Sequence, residues 1–310
     1  MTDPVRLQIL GPLRVRRGDA EVDAGPPQQR SVLAVLLARE GHPVSMTELI
    51  ELLWGHAPPP TAANIIQKYV GRLRRLFEPG LAPRAPGAFL ARHGNGYRFT
   101  AGPETLDLTL FRRLVAEAKA YAGQDQPDAA LERYVAALRL GRGPAGGGVA
   151  ETPAARAAFA RLDGEFLDAV LAAADVAGQA GRPSLVVGPL RIAAELEPLN
   201  EIVQASLVTT LAAAGHRAEA LAAYRSVRVR LADELGIAPG PDLQEAYRRV
   251  MTRTVPVLGD PAPPTGTLVI VLNGLPHEEL VELCAFLAAA FPGARSNLSG
   301  ILGRLSENWK

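Results

Sequence analysis

Residues 61–78 read TAANIIQKYVGRLRRLFE, a stretch with the periodicity of an amphipathic helix. At about 100° per residue, one narrow sector collects the apolar side chains of Ile66, Val70, Leu73 and Phe77. The opposite sector is polar and contains Asn64, Lys68, Gly71, Arg72 and Arg75. Lysine and arginine suit phosphates, and amide and guanidinium groups can form paired hydrogen bonds with base edges. The pattern is typical of a DNA recognition helix, and equally of a surface helix with a solvated basic face.

Charge is distributed unevenly along the 310-residue chain, although its formal net charge is only +1. Residues 1–100 hold 13 Lys or Arg against 8 Asp or Glu, a balance of +5, while the remainder holds 20 against 24. A basic amino-terminal third indicates a surface for nucleic acid, and the slightly acidic remainder indicates a different partner. With 48% hydrophobic residues, the chain can bury a core and form two or three domains.

Cysteine content and hydropathy restrict the compartment. Cys284 is the only cysteine, so the sequence offers neither an intramolecular disulfide nor a cysteine cluster for a metal. No apolar run is long enough to span a bilayer, and the first residues lack the basic-then-apolar order of a signal peptide. We therefore expect a cytoplasmic protein with no membrane contact.

Short elements precede the basic helix. Alternation of apolar and polar residues predicts three strands, at residues 5–10, 13–16 and 21–23. Apolar periodicity then predicts two helices, at residues 28–39 and 46–54. Ser45 and Glu48 have the spacing of a capping box at the start of the second helix. Thr61 is the expected N-cap of the basic helix.

A loop and a hairpin flank the basic helix. Residues 55–60, GHAPPP, cannot continue a helix, because proline removes a backbone donor and restricts the preceding residue. The β-prone runs at 89–92 and 97–99 surround a Gly-Asn-Gly turn and predict a hairpin. A sheet, three helices with the third one basic, and a hairpin form the order of a winged helix. In that fold the third helix enters the major groove and the hairpin contacts the backbone or a minor groove.

Five ordered motifs make the pattern more specific. They are Ile9-Leu10-Gly11-Pro12-Leu13, QQRSVLAVLL at 28–37, Leu52-Leu53-Trp54-Gly55, YVGRLRRL at 69–76, and Gly96-Tyr97-Arg98-Phe99. Together they resemble the OmpR-type winged helix of the Streptomyces antibiotic regulatory protein (SARP) family.

The resemblance implies roles for individual residues. It suggests as DNA-binding residues Asn64, Gln67, Lys68, Arg72, Arg74 and Arg75 of the third helix, with Arg92 and Arg98 of the hairpin assisting. In that family the loop between the second and third helices is associated with contacts to RNA polymerase. Here the resemblance places this contact at Trp54, Gly55, His56 and Ala57.

From Pro103 onward, helix signals replace strand signals. Ala- and Leu-rich segments broken by Gly or Pro predict seven helices, at residues 106–121, 127–140, 153–180, 183–196, 201–214, 217–235 and 241–251. Residues 122–134 and 213–224 share the small-residue turn typical of a tetratricopeptide repeat. Residues 231–241, LADELGIAPGP, resemble the signature of the bacterial transcriptional activator domain, which follows the winged helix in the same family.

Two further segments contain many turn-forming residues. Residues 141–148, GRGPAGGG, lack the Lys-Ser/Thr that closes a P-loop and follow no strand, so we interpret them as a flexible loop rather than a nucleotide site. Residues 256–266 are a Pro-rich linker, and residues 267–310 predict a short strand-helix-helix extension of unknown role.

No arrangement of residues indicates catalysis or a cofactor. The five histidines, which fall on predicted loops and turns without metal-ligand spacing, are His42, His56, His93, His216 and His277. No nucleophile-elbow motif surrounds Ser206, Ser226 or Ser296. We therefore expect no enzyme, no metal and no cofactor.

The sequence thus predicts a mainly α protein with a small β component. A winged helix-turn-helix at 1–101 precedes a tetratricopeptide-like helical array at 102–255, the linker and the extension. The leading function is a transcriptional activator that binds direct repeats in double-stranded DNA as a homodimer, recruits RNA polymerase and controls a biosynthetic gene cluster. Two alternatives remain open: a helical-repeat adaptor whose winged helix contacts protein, and a regulator whose array senses a small molecule.

Overall fold

The first hundred residues form two small sheets around three helices. The computed structural model describes residues 4–82, 85, 87–149 and 152–252, so the predicted linker, the predicted extension and Cys284 lie outside the described residues. An antiparallel sheet comes first, with the strands β1 (Val5–Gln8), β2 (Arg14–Arg17) and β3 (Ala20–Glu21). Three helices follow: α1 (Pro27–Ala38), α2 (Met46–Trp54) and α3 (Ala62–Phe77). The predicted order of a winged helix is confirmed.

The wing is a three-stranded sheet rather than an isolated hairpin. The predicted hairpin is present as β5 (Leu90–His93) and β6 (Gly96–Phe99), and a short strand β4 (Val44–Ser45) pairs with β6. The sequence does not predict β4, because two residues carry no periodicity. Gly96 is required at this junction, since a Cβ there would overlap the carbonyl of Val44.

The starts of α2 and α3 differ in their capping. Ser45 caps α2 as predicted, because its Oγ accepts a hydrogen bond from the Glu48 amide at 3.1 Å, while the Glu48 carboxylate pairs with Arg39. The predicted cap at Thr61 is wrong, since its side chain makes no capping hydrogen bond. Thr61 has φ −98° and ψ 12°, outside the extended region that an N-cap requires. The chain enters α3 through a turn in which the Ala62 amide donates to Pro59.

Seven α-helices follow within the part of the chain that the structure describes. They are α4 (Asp107–Gly123), α5 (Pro127–Leu138), α6 (Pro153–Gln179), α7 (Val187–Leu196), α8 (Glu201–Ala213), α9 (Arg217–Leu235) and α10 (Pro241–Thr252). They agree with the seven predicted helices, except that residues Pro183–Val186 form a separate 3-10 turn before α7. Helix α4 packs on α5, and α8 packs on α7, α9 and α10. Ala130 and Ala220, from the two predicted repeat turns, are fully buried, which permits close approach of neighbouring helices.

The winged helix and the helical array pack against each other within one compact unit, Met1–Thr254. Asp107, the first residue of α4, accepts hydrogen bonds from the amides of Ile9 and Leu10, each at 3.0 Å. Thr152 caps α6 and also donates its hydroxyl to the carbonyl of Leu52 in α2 at 2.6 Å. The junction therefore combines backbone and side-chain hydrogen bonds from several elements.

The Gly-rich loop at residues 141–148 is part of this junction. It is a loop, as predicted, but its backbone is not free. The amide of Arg142 donates to Leu10 at 2.8 Å, and the amide of Gly146 donates to Ile9 at 2.9 Å. The loop also lies against α6, where a Cβ on Gly146 would come within 2.6 Å of the Phe159 ring. Gly141 and Gly146 therefore allow close packing against α6.

An arginine adds an ionic connection across the same junction. Arg112 of α4 forms a bidentate pair with Glu165 of α6, at 2.8 Å from Nε and 2.7 Å from Nη2. Its third nitrogen pairs with Glu40, which follows α1 of the winged helix. The hydrogen bonds and charges of Glu165 and Glu40 raise the pKa of Arg112 above its ordinary value. The guanidinium thus joins both domains.

Candidate nucleic-acid interface

Helix α3 has the two faces that its periodicity predicts. Ile66, Val70, Leu73 and Phe77 are buried against the rest of the winged helix. The exposed face contains Asn64, Gln67, Lys68, Arg72 and Arg75. Gly71 lies on the same side with no atom within 4 Å of where its Cβ would be. This face is therefore open for the close approach of a partner.

The cations on this surface are not neutralised within the chain. Among the described residues, no ion pair involves Lys68, Arg72, Arg75, Arg92 or Arg98. Arginines of the helical array, by contrast, commonly pair with neighbouring carboxylates, as Arg249 does with Glu245 at 3.0 Å. The surface therefore keeps positive charge available for an anionic partner.

Arg74 differs from the other predicted contacts on α3. Its side chain is half-buried, and its Nε donates to the carbonyl oxygen of Leu90 in β5 at 2.8 Å. On a helical wheel it lies about 80° from Ile66, on the flank rather than opposite the buried face. Arg74 therefore connects the helix to the wing.

The two arginines of the wing lie on opposite faces of the hairpin. Arg92 pairs in register with Tyr97, and Arg98 pairs with Ala91. Successive residues of a strand alternate between faces, so Arg98 lies on the outer face and Arg92 on the face that also contains Tyr97. Both side chains are exposed. A nucleic acid along the wing could therefore be contacted from two sides.

Further hydrogen bonds fix the position of α3. The Tyr69 hydroxyl donates to Gln28 Oε1 at the start of α1, at 3.0 Å. Arg17 of β2 donates to the carbonyl of Leu76 near the carboxyl-terminal end of α3. The sequence does not reveal either contact, because both join residues more than 40 positions apart. Together they hold the middle and the carboxyl-terminal end of α3.

The predicted polymerase-contact loop is exposed between α2 and α3. Trp54 ends α2 and is half-buried, and Gly55 follows with φ 60°, a left-handed conformation that favours glycine. Its amide donates to Glu51 at 2.8 Å, which closes the helix. His56 and Ala57 are exposed, and the carbonyl of Leu52 is held by Thr152. The loop thus projects from an anchored helix end.

The described residues contain neither a candidate metal site nor a candidate membrane-spanning helix. No group of three or more His, Cys, Asp or Glu side chains within residues 4–252 is arranged to hold a metal ion. None of the helices in the same part of the chain is long and apolar enough to cross a membrane.

The sequence matches two family profiles in the predicted order. The profile described as "Transcriptional regulatory protein, C terminal" matches residues 21–99, and the "Bacterial transcriptional activator domain" matches residues 106–251. The first match covers the helices and the wing but not β1 and β2, and the second covers almost all of α4 to α10.

Several characterised proteins are similar to this chain. The transcriptional regulator RedD of Streptomyces coelicolor is 30% identical over 258 residues, which cover 83% of this chain and 73% of RedD. The regulatory protein AfsR of Streptomyces griseus is 34% identical over 80% of this chain, but only 25% of AfsR is covered. The transcriptional regulatory protein EmbR of Mycobacterium tuberculosis is 34% identical over 78% of this chain and 62% of EmbR. The chain thus spans a quarter of AfsR and under two thirds of EmbR.

A solved structure has the same fold. The structure of Mycobacterium tuberculosis EmbR in complex with a low affinity phosphopeptide superposes with a TM-score of 0.64 at 32% identity. The match covers 80% of this chain and 65% of the EmbR chain.

The two domains define the class of this chain, an OmpR-type winged helix followed by a bacterial transcriptional activator domain. The chain belongs to the Streptomyces antibiotic regulatory protein family. Its relatives RedD and AfsR are a transcriptional regulator and a regulatory protein.

Proposed function

We propose that this chain is a cytoplasmic transcriptional activator that reads direct repeats in promoter DNA through α3 and the wing. The observation that carries the proposal is the exposed face of α3, which combines an amide, three cations and an open glycine. Its members Asn64, Lys68, Arg72 and Arg75 are all exposed, and its three cations have no ion pair within the described residues. A major groove accepts a helix with these groups.

The exposed residues divide into two roles. Asn64 and Gln67 carry amides suited to paired hydrogen bonds with an adenine edge. Lys68, Arg72 and Arg75 suit phosphate oxygens, and Arg72 or Arg75 can also bind a guanine edge. Arg92 and Arg98 extend the contact along the wing. Arg74 contributes by holding the wing to α3.

Selection of bound sequences from a random duplex pool tests this proposal with the full chain. We expect enrichment of a direct repeat whose spacing matches about one helical turn of DNA, or a multiple of it, which would indicate two copies of the chain in the same orientation. Asn64→Ala should relax the selected sequence, and Arg72→Ala should weaken binding to all duplexes. Arg161→Gln, an exposed arginine of α6, is the matched control. An unselected pool would contradict the proposal.

The loop after α2 is proposed to contact RNA polymerase. This assignment is supported by the exposure of His56 and Ala57 beside the anchored end of α2. Ala57→Asp should reduce transcription from the selected promoter with purified polymerase while duplex binding stays unchanged. Equal transcription from the variant and the parent chain would contradict this role.

Control of a biosynthetic gene cluster is supported by the family. RedD and AfsR are Streptomyces regulatory proteins whose similarity extends over 83% and 80% of this chain. Mapping the selected repeat onto promoters of the source genome, followed by transcript measurement in a deletion strain, tests this part. Loss of transcripts from a biosynthetic cluster is the expected result.

The competing function is a protein-binding adaptor built on the helical array. It predicts that the full chain shows no retention on duplex DNA at low salt. The proposed activator predicts retention that falls steeply as salt increases, because phosphate contacts release counterions. The two functions are therefore separated by one binding measurement.

A further inference from the structure

The β1–β2 hairpin places like charges directly opposite each other. The strand register pairs Arg6 with Arg16 and Gln8 with Arg14. Residues two apart on a strand share a face of the sheet. Arg6, Arg14 and Arg16 therefore lie on one side of it. The intervening residues Leu7 and Val15 are buried on the other side. Like charges opposite each other on paired strands are destabilising unless something compensates them.

Two more arginines face the same space from the helical array. Arg139 follows α5, and Arg142 lies in the Gly-rich loop whose amide donates to Leu10. Together with the three hairpin arginines they line one cleft between the winged helix and the array. All five side chains belong to exposed residues. The cleft is thus cationic on both walls.

The chain supplies little negative charge to this cleft. Among the described residues, none of the five arginines forms an ion pair, and Arg16 only donates to the carbonyl of Asp19 at 2.8 Å. Of the two acidic lining residues, Asp107 is occupied by the amides of Ile9, Leu10 and Leu108. The other, Glu104, lies 3.9 Å from Arg113. Five cations therefore face two carboxylates that already have partners.

The cleft is large enough to hold a small molecule. Its volume is about 320 Å³, near the lower end of the range of about 300–1,000 Å³ typical of ligand pockets. Its walls also contain the apolar side chains of Leu110, Leu140 and Pro103. An organic group could contact these residues while anionic oxygens face the guanidiniums, which bind phosphate in a bidentate way.

We propose that this cleft binds a small phosphorylated molecule carrying two or more phosphate charges, between the winged helix and the helical array. The ligand contacts both domains and therefore binds to their docked arrangement. By mass action, it stabilises that arrangement. The regulator would thereby respond to the level of a phosphorylated metabolite, independently of the DNA sequence that it reads.

The position of the cleft separates this site from the proposed DNA interface. None of its lining residues belongs to α3 or to the wing hairpin. A duplex bound along α3 therefore leaves the five arginines to be explained, and the cleft has a volume of about 320 Å³. A compact phosphorylated ligand fits both observations.

Isothermal titration of the full chain with inorganic pyrophosphate tests the proposal, with ADP as the organic probe and inorganic phosphate as the smaller one. We expect one pyrophosphate per chain, tighter than inorganic phosphate. Arg14→Gln and Arg139→Gln, one on each wall, should each weaken pyrophosphate binding about tenfold. Arg161→Gln on α6 is the control and should not change binding. A thermal melt of each variant verifies folding.

The same melts give a second readout. Without ligand, Arg6→Gln should leave the melting midpoint unchanged or raise it, because it removes a like-charge pair. With pyrophosphate, the midpoint should rise for the parent chain and less for Arg14→Gln. The proposal is overturned if pyrophosphate and ADP produce neither heat nor a midpoint shift. It is also overturned if Arg161→Gln loses as much binding, or if Arg14→Gln and Arg139→Gln weaken duplex binding as Arg72→Ala does while pyrophosphate does not bind.

Discussion

Arg74 Nε donates to the carbonyl oxygen of Leu90 at 2.8 Å, so a hydrogen bond joins α3 to the wing. The neighbouring Arg75 is exposed and has no ion pair in the described part of the chain. The two adjacent arginines therefore differ: Arg74 holds α3 to the wing, and Arg75 belongs to the exposed face that we propose binds DNA.

Substitution of these two arginines should separate stability from binding. Arg74→Ala leaves the carbonyl of the buried Leu90 without this donor, so we expect a loss of about 1–3 kcal/mol in the free energy of unfolding by urea. Arg75→Ala removes an exposed side chain and should change that free energy by no more than about 0.5 kcal/mol, while duplex binding weakens. Equal stability of the two variants would contradict the structural role of Arg74.

The close packing of the Gly-rich loop gives a second prediction. A Cβ on Gly141 would overlap the ring of Phe166, whereas Gly164 of α6 has nothing within 4 Å of its Cβ position. Gly141→Ala should therefore lower the free energy of unfolding by about 1–3 kcal/mol. Gly164→Ala should raise it by up to about 1 kcal/mol, because alanine favours a helix interior. Urea unfolding of both variants provides the measurement, and a neutral Gly141→Ala would show that the loop can move away from α6.

Asp107 gives the junction a defined pH dependence. Burial raises its pKa from 3.8 to about 6, although hydrogen bonds from the amides of Leu10, Ile9 and Leu108 act in the opposite direction. Because the folded chain holds this proton more tightly than the unfolded chain, the contribution of Asp107 to stability falls as pH rises from about 4 to about 6. The change is on the order of 3 kcal/mol.

Asp107→Asn removes this titration. As pH rises from about 4 to about 6, the unfolding free energy of the parent chain should fall relative to that of Asp107→Asn. Above pH 6 the difference should be constant. Asp175→Asn, an exposed aspartate of α6, serves as the background variant. A difference that does not vary between pH 4 and 6 would show that Asp107 does not titrate there.

The sequence predicts those parts of the structure that depend on local periodicity. The buried and exposed faces of α3 follow from its 3.6-residue repeat, and the seven helices of the array are delimited by Gly and Pro. The hairpin around residues 94 and 95 follows from its turn chemistry. For these features the predicted and observed structures agree closely, because each feature is determined by residues that are near one another in the sequence.

Contacts between distant residues are not predictable in this way. The pairing of Val44 with Tyr97, the bond from Arg74 to Leu90, and the docking of residues 141–148 on Leu10 all depend on tertiary structure. The failure of the Thr61 cap has the same origin, because the preceding proline turn sets its backbone conformation. One wall of the arginine cleft follows from the sequence, because Arg6 and Gln8, and likewise Arg14 and Arg16, are two residues apart on a strand and share a face. The second wall comes from residues 139 and 142, which only the tertiary structure brings close.

The central claim, that α3 reads DNA through its exposed face, is tested most directly by the salt dependence of duplex binding. The logarithm of the association constant should fall linearly with the logarithm of salt concentration, with a slope of about −0.9 for each phosphate contacted. Arg72→Ala and Arg75→Ala should each make this slope shallower by about one contact, while Arg161→Gln should leave it unchanged. Slopes and affinities that are the same for the parent chain, Arg72→Ala and Arg75→Ala would contradict the claim.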